Sequence, residues 1–190
     1  MKLGDIETIV RNYVNDAAAD VHQAIIDAIN HLSIFYGIIK FDKSQTTVAN
    51  QDYLDLPVGA VEILSVEING EFIKPLQEYE TLESVKNESA ERWHIANDRI
   101  ELTEEMSTTG EAVRIVYRGM YTLPEVAVDT NVPDKFLELI YVGATFRYFR
   151  ALATKVMTSR ADYPDVTPKE IIAVRDQWKN EEDSLFNDIR

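Results

Sequence analysis

Three histidines are the first residues with which this chain could hold a metal or move a proton: His22, His31 and His94. His22 and His31 are nine positions apart on one predicted helix. At roughly 100° per residue that spacing sets them about 180° apart, so they cannot share an ion within one subunit. His94 follows Trp93 in a strand-like segment and has no ligand partner nearby in sequence. The reading for all three is a surface or half-buried structural histidine. Carboxylates are abundant, 33 in all, so close pairs arise by chance. Asp162 and Asp165 flank Tyr163-Pro164, and Glu104-Glu105 follows a strand-like run. Glycoside hydrolysis needs two carboxyls at a set separation across a cleft, which proximity along the chain does not supply. A calcium loop needs alternating oxygen ligands and a glycine turn, which these clusters lack.

No glycine-rich phosphate loop, Walker lysine, HExxH or GxSxG pattern occurs. Cysteine is absent, which excludes disulfides, thiolate metal sites and cysteine nucleophiles. The sequence therefore offers no catalytic, cofactor-binding or metal-binding residue, and the expectation is a protein that is not an enzyme and carries no cofactor.

Charge gives a sharper constraint. The 190 residues hold 33 acidic and 19 basic side chains, a formal net charge of −14. Affinity for DNA comes largely from Lys and Arg neutralising phosphates, so the charge disfavours broad, tight DNA binding, while passage of DNA without grip stays compatible. The opening Met1-Lys2-Leu3-Gly4-Asp5 lacks an apolar targeting stretch, and no apolar run is long enough to span a bilayer. Asn87-Glu88-Ser89 matches a glycosylation sequon by chance. The acidic runs Glu78 to Glu91 and Glu181-Glu182-Asp183 read as solvated surface, with contact to a basic partner as the functional alternative.

One segment opposes the overall sign. From Leu139 to Ala161 there are four basic residues, Arg147, Arg150, Lys155 and Arg160, and no acidic one. Two readings stand side by side. Positive charge near a helix C-terminus favours the macrodipole. Alternatively, the patch docks an acidic neighbour, and a second copy of this chain would be one. Phe146, Tyr148 and Phe149 lie among these arginines and cannot all face inward, so Phe146 or Phe149 is expected at the surface or in an assembly contact. Together with Tyr141 and Trp178, these aromatics read as core rather than as a ligand site.

The elements that must position these residues follow from periodicity. Ile6, Ile9, Val10, Tyr13 and Val14 give a first helix, capped by Gly4-Asp5 and broken at Asn15-Asp16. Val21, Ala24, Ile25, Ala28, Ile29 and Leu32 give a second, from about Asp20 to Tyr36, with Gly37 as its C-cap. Four or five strands follow. Tyr53 to Pro57 is a short one, and Asn69-Gly70 joins two more as a hairpin turn whose residues tolerate positive φ. Asn97-Asp98 marks a second hairpin, and Val113, Ile115 and Tyr117 alternate in a half-buried strand. A third helix, about Asp134 to Lys155, opens at Pro133. Thr167-Pro168-Lys169-Glu170 is a capping box for a fourth helix carrying Ile171, Val174, Trp178 and Leu185.

This order predicts an α+β fold: mainly an α-helical bundle of four helices, with an antiparallel β module inserted between helices 2 and 3. The expected organisation is a single domain over 1–190, with a helical body at 1–40 and 133–190 and the inserted module at 51–118.

The whole-chain pattern resembles the head-to-tail connector, or adaptor, proteins of tailed bacteriophages. The resemblance is carried by Leu3-Gly4-Asp5-Ile6 through Asn15-Asp16, and by Ala24 through Ile29-Asn30. It continues in Tyr53-Leu54-Asp55-Leu56-Pro57 with Val61 to Val66, in Val116-Tyr117-Arg118 with Leu123-Pro124, and in Val132-Pro133-Asp134-Lys135-Phe136. It implies a structural virion protein of the neck, made in the host cytoplasm. It further implies docking under a portal protein, extension of the DNA channel, a platform for a tail or neck protein, and a homo-oligomeric, dodecameric ring. Termini that reorder on docking would suit that role. Charge and aromatic placement make Arg147, Tyr148, Arg150 and Trp178 the expected interface residues, with the hairpin tip Asn69-Gly70 as a contact with the next ring. The competing readings are a small acidic cytoplasmic protein-binding or regulatory module, and a hydrolase built on a carboxylate pair such as one including Asp162.

Overall fold

The computed structural model describes residues 1–77, 91–125, 129–159 and 167–189. The sequon at Asn87, most of the acidic run from Glu78, and Arg160, Asp162 and Asp165 lie outside the described residues. The chain divides into two compact units, one of Met1–Tyr36 with Tyr121–Arg190 and one of Gly37–Met120.

The first unit is helical. α1 (Leu3–Val14) buries Leu3, Ile6, Val10 and Val14 at 3- and 4-residue spacing. Its N-cap is Lys2 with no side-chain bond, so Asp5 serves in the first turn rather than as the cap. Asn15, left-handed at φ 55°, ends it where the Asn-Asp pair is expected to. Asp20 accepts a bond from the His22 backbone N–H (3.3 Å) at the start of α2 (His22–Tyr36). A 3-10 turn, Asp134–Phe136, leads into α3 (Leu137–Thr158). At the head of α4 (Pro168–Ile189), Thr167 donates its hydroxyl to the Glu170 carboxylate, so the expected capping pair is engaged side chain to side chain. α3 is the central helix and packs against α1, α2 and α4. Its mid-section buries Ile140, Val142, Ala144 and the small Gly143, which lets neighbours approach closely.

The second unit corrects the expected architecture. It is a seven-stranded, curled, mixed sheet in the order β1-β7-β3-β4-β5-β6-β2, so the chain is not a mainly helical bundle with a small antiparallel insert. The strands are β1 (Ile38–Asp42), β2 (Tyr53–Asp55), β3 (Ala60–Ile68), β4 (Glu71–Pro75), β5 (Arg92–Ala96), β6 (Arg99–Leu102) and β7 (Val113–Gly119). Two facts overturn the earlier view. β1 begins at Ile38, straight after α2, and pairs in register with β7 from Ile38 opposite Gly119 to Asp42 opposite Ile115. Gly37 is not among the residues with positive φ, so it passes the chain directly from helix to strand instead of forming a left-handed cap. β4 and β5 pair in parallel, Lys74 opposite Arg92 and Pro75 opposite Trp93, a long-range contact that local patterning does not encode.

Turn chemistry holds. Asn69 (φ 51°) and Gly70 (φ 82°) join β3 to β4 with Ile68 opposite Glu71. Asn97 (φ 50°) and Asp98 (φ 57°) do the same for β5 and β6. The inner face of the sheet buries Leu54, Val66, Ile73, Trp93, Ile100, Ile115 and Tyr117. Trp93 is tolerated there because its indole N–H donates to the Ile73 carbonyl at 3.0 Å.

Candidate interface site

The helical unit contains a built polar site where α2, α3 and α4 meet. Arg147 on α3 donates to Glu182 Oε1 on α4 at 2.6 Å, and to the Gly143 carbonyl one turn earlier at 2.8 Å. Both partners are withdrawn from water, with side chains 14% and 7% exposed. Two facing bonds satisfy a charge that would otherwise be costly to bury. Gly143 makes the pairing possible, since a Cβ there would lie 2.6 Å from Glu182 Oε1 and 2.9 Å from Arg147 Nη1. Glu182 corrects the reading of Glu181-Glu182-Asp183 as solvated surface, because it is buried among the described residues while its neighbours face out.

His31, on α2, completes this corner. Its Nδ1 lies 3.7 Å from Glu182 Oε1, beyond hydrogen-bond reach, and has no hydrogen-bond partner among the described residues. Burial and the Arg147 guanidinium hold its pKa below the ordinary histidine value, against the opposing pull of Glu182 and Asp183. A neutral ring suits its company: Phe35 at 5.3 Å and Phe186 at 5.4 Å, both edge-on.

The expected interface residues fall in different settings. Arg147 is the more exposed member of the ion pair with Glu182. Tyr148 is half-buried and packs edge-on with Phe149 at 5.4 Å. Phe149 itself packs on Ala153, Val156 and Ile171, and Phe146 is half-buried with the Arg147 guanidinium 5.8 Å from its ring centroid. Arg150 is exposed. Trp178 is half-buried and stacks on Tyr13 of α1, centroids 5.4 Å apart and 19° from parallel, with Tyr141 edge-on to Tyr13. The structure thus brings Arg147, Tyr148 and Arg150 onto one helix and sets Trp178 on the helix packed beside it. Tyr148 and Lys155 line a groove whose other wall carries Asp16, Asp20 and Asp27. Asn69 and Gly70 are exposed at the β3–β4 turn of the other unit.

Each histidine lies beside one glutamate: His22 near Glu7 (3.4 Å), His31 near Glu182 and His94 near Glu101 (3.4 Å). The last pair was legible once the Asn97-Asp98 turn is granted, since the hairpin sets His94 opposite Glu101. The other two come from separate helices and left no local signal. Among the described residues no group of three His, Asp or Glu side chains could hold a metal, and no helix is long and apolar enough to cross a membrane. The arrangement joins α2, α3 and α4 and presents surface.

Compared with known proteins, residues 1–187 match the family model described as SU10 adaptor protein. No curated protein sequence matches the chain. A match that runs across the helices and the strands alike accounts for a molecule built of packed surfaces and turn-defined tips, and it agrees with the resemblance carried by the sequence. The chain belongs to the SU10 adaptor protein family and is a structural adaptor of a bacteriophage virion.

Proposed function

We propose that this adaptor docks beneath the portal ring, continues the DNA channel, and offers the platform on which a tail or neck protein seats. The observation that carries the reading is the family match over residues 1–187, which spans both units. Charge supports it. A net charge of −14 opposes phosphate neutralisation on duplex DNA, and an acidic channel wall would let DNA move past it. Many copies would close a ring through head-to-tail contacts, twelve being the number the family resemblance implies. The single-domain organisation over 1–190 belongs to the same proposal: both units act as one building block.

Arg150 and Tyr148 form the docking patch on α3, Trp178 supports it from α4, and the exposed Asn69-Gly70 tip meets the neighbouring layer. Arg147 serves from behind, fixing α4 against α3 through Glu182. The test uses purified portal ring and the full chain. Reversing the exposed charge in Arg150→Glu weakens capture on the ring by about tenfold, as expected for a charge in a docking contact, without changing the circular dichroism melt. Capture unchanged by Arg150→Glu and by substitution of Asn69 and Gly70 would remove these residues from the interface. A chain that ignores portal rings and binds small basic proteins instead would favour an acidic regulatory module.

A further inference from the structure

We infer that the aromatic pocket at the joined ends of α2 and α4 is a receptor for an arginine side chain of a docked partner protein; this rests on the adaptor reading for the existence of that partner. The pocket is lined by His31 and Phe35 of α2 and by Asp183, Phe186 and Asn187 of α4. Three independent features make it a place for a cation.

The first is the rings. His31, Phe35 and Phe186 contact one another with centroids 5.3 to 5.5 Å apart and planes 66 to 88° from parallel, while Phe186 also stacks on Tyr36 at 5.9 Å, which leaves Phe35 as the ring most open to a ligand. Phe35 is 43% exposed, so part of its ring is open to a ligand. A cation over such a face gains from the ring quadrupole. The second is Asp183, whose exposed carboxylate lines the pocket and carries an exposed i,i+4 pair with Lys179 at 3.2 Å. The third is the backbone. Phe35 lies in the last turn of α2 and Phe186 in the last turn of α4, and no basic residue stands in the last turn of either helix. The Tyr36 hydroxyl donates to the Phe186 carbonyl at 3.4 Å, which shows that the two ends converge. Two negative dipole ends therefore meet at one aromatic pocket with no basic side chain in those turns to balance them.

Arginine fits better than lysine. Its planar guanidinium stacks on a ring while its fork addresses a carboxylate, and it sheds water more readily than an ammonium. The depressed pKa of His31 keeps that wall uncharged, so the pocket does not repel the incoming cation at neutral pH.

The probe is N-acetyl-arginine amide titrated into the full chain, with the neutral isostere N-acetyl-citrulline amide as control. The readout is the ring proton shifts of His31, Phe35 and Phe186. The expected result is a saturable shift with the arginine probe only, weakened roughly tenfold by Phe35→Leu or by Asp183→Asn, both exposed positions where folding survives. N-acetyl-lysine amide is expected to bind more weakly than the arginine probe. Equal shifts with citrulline, or no effect of either substitution, would overturn the inference, as would lysine binding better than arginine. Portal capture separates this from the adaptor reading. Ring-proton binding without portal capture retires the adaptor reading alone. Portal capture that is unchanged in Phe35→Leu and Asp183→Asn, with no probe binding, retires the pocket alone.

Discussion

Glu182 is the residue on which the helical unit turns. It sits in an acidic triplet, yet its carboxylate is buried and closed onto Arg147. Removing one partner strands the other charge, so Glu182→Ala is expected to lower stability by about 3 kcal/mol. Gly143→Ala is expected to cost about 1 to 3 kcal/mol by forcing the pair apart. In a double cycle with Arg147→Met the Glu182→Ala loss should shrink, measured by urea melts. His31 adds a pH term whose sign follows from its depressed pKa. The unfolded chain takes up a proton at about 6.5 while the folded one resists it. Stability owed to this group is therefore complete above 6.5 and is lost as pH falls toward the folded value. His31→Gln should flatten that part of the profile relative to the native chain; an identical slope in both proteins contradicts it. Arg147, Glu182 and Asp183 are the charged groups acting on His31 here.

At the scale of elements, the β3–β4 turn is the feature most exposed to a clean test. Gly70 is at φ 82° with open space around its Cα, so Gly70→Ala carries a backbone cost alone, about 1 kcal/mol. Asn69→Ala and Gly70→Ala together should loosen the tip, seen as faster amide exchange at Ile68 and Glu71, while α1 to α4 keep their protection. Elements also show what a sequence can and cannot disclose. Asn69-Gly70 and Asn97-Asp98 were readable because positive φ is a local demand met by few residue types. The stripe of Ile6, Val10 and Val14 was readable because burial follows the helical period. β1 was not, since Ile38 to Asp42 is five residues long and follows a helix without a turn between them. β2, three residues long, was readable from Tyr53 to Pro57, but the parallel β4–β5 pairing was not, because it joins segments distant in sequence. Missing these turned a seven-stranded sheet into a minor insert. The candidate site divided in the same way. Arg147 stood out by sign, but its burial depends on Glu182, 35 residues on, and charge patterning alone assigned Glu182 to solvent.

For the whole molecule, two properties converge: family membership across both units and a surplus of 14 negative charges. A body of this kind acts through what it touches. The surplus charge makes a further expectation concrete. Fluorescent duplex DNA at about 50 mM salt should show no anisotropy change with the chain at micromolar concentration. A rise that vanishes at higher salt would show that the proposed conduit grips its cargo. The proposed ring also has a stoichiometric consequence, because a closed assembly fixes the number of copies per portal.

The most direct measurement is the mass of purified portal ring after incubation with the full chain, read by mass photometry and followed by electron microscopy of the complex. The account predicts a discrete heavier species, with a set number of adaptor copies on one face and the channel continued through them. A portal ring that keeps its own mass in excess adaptor would contradict it.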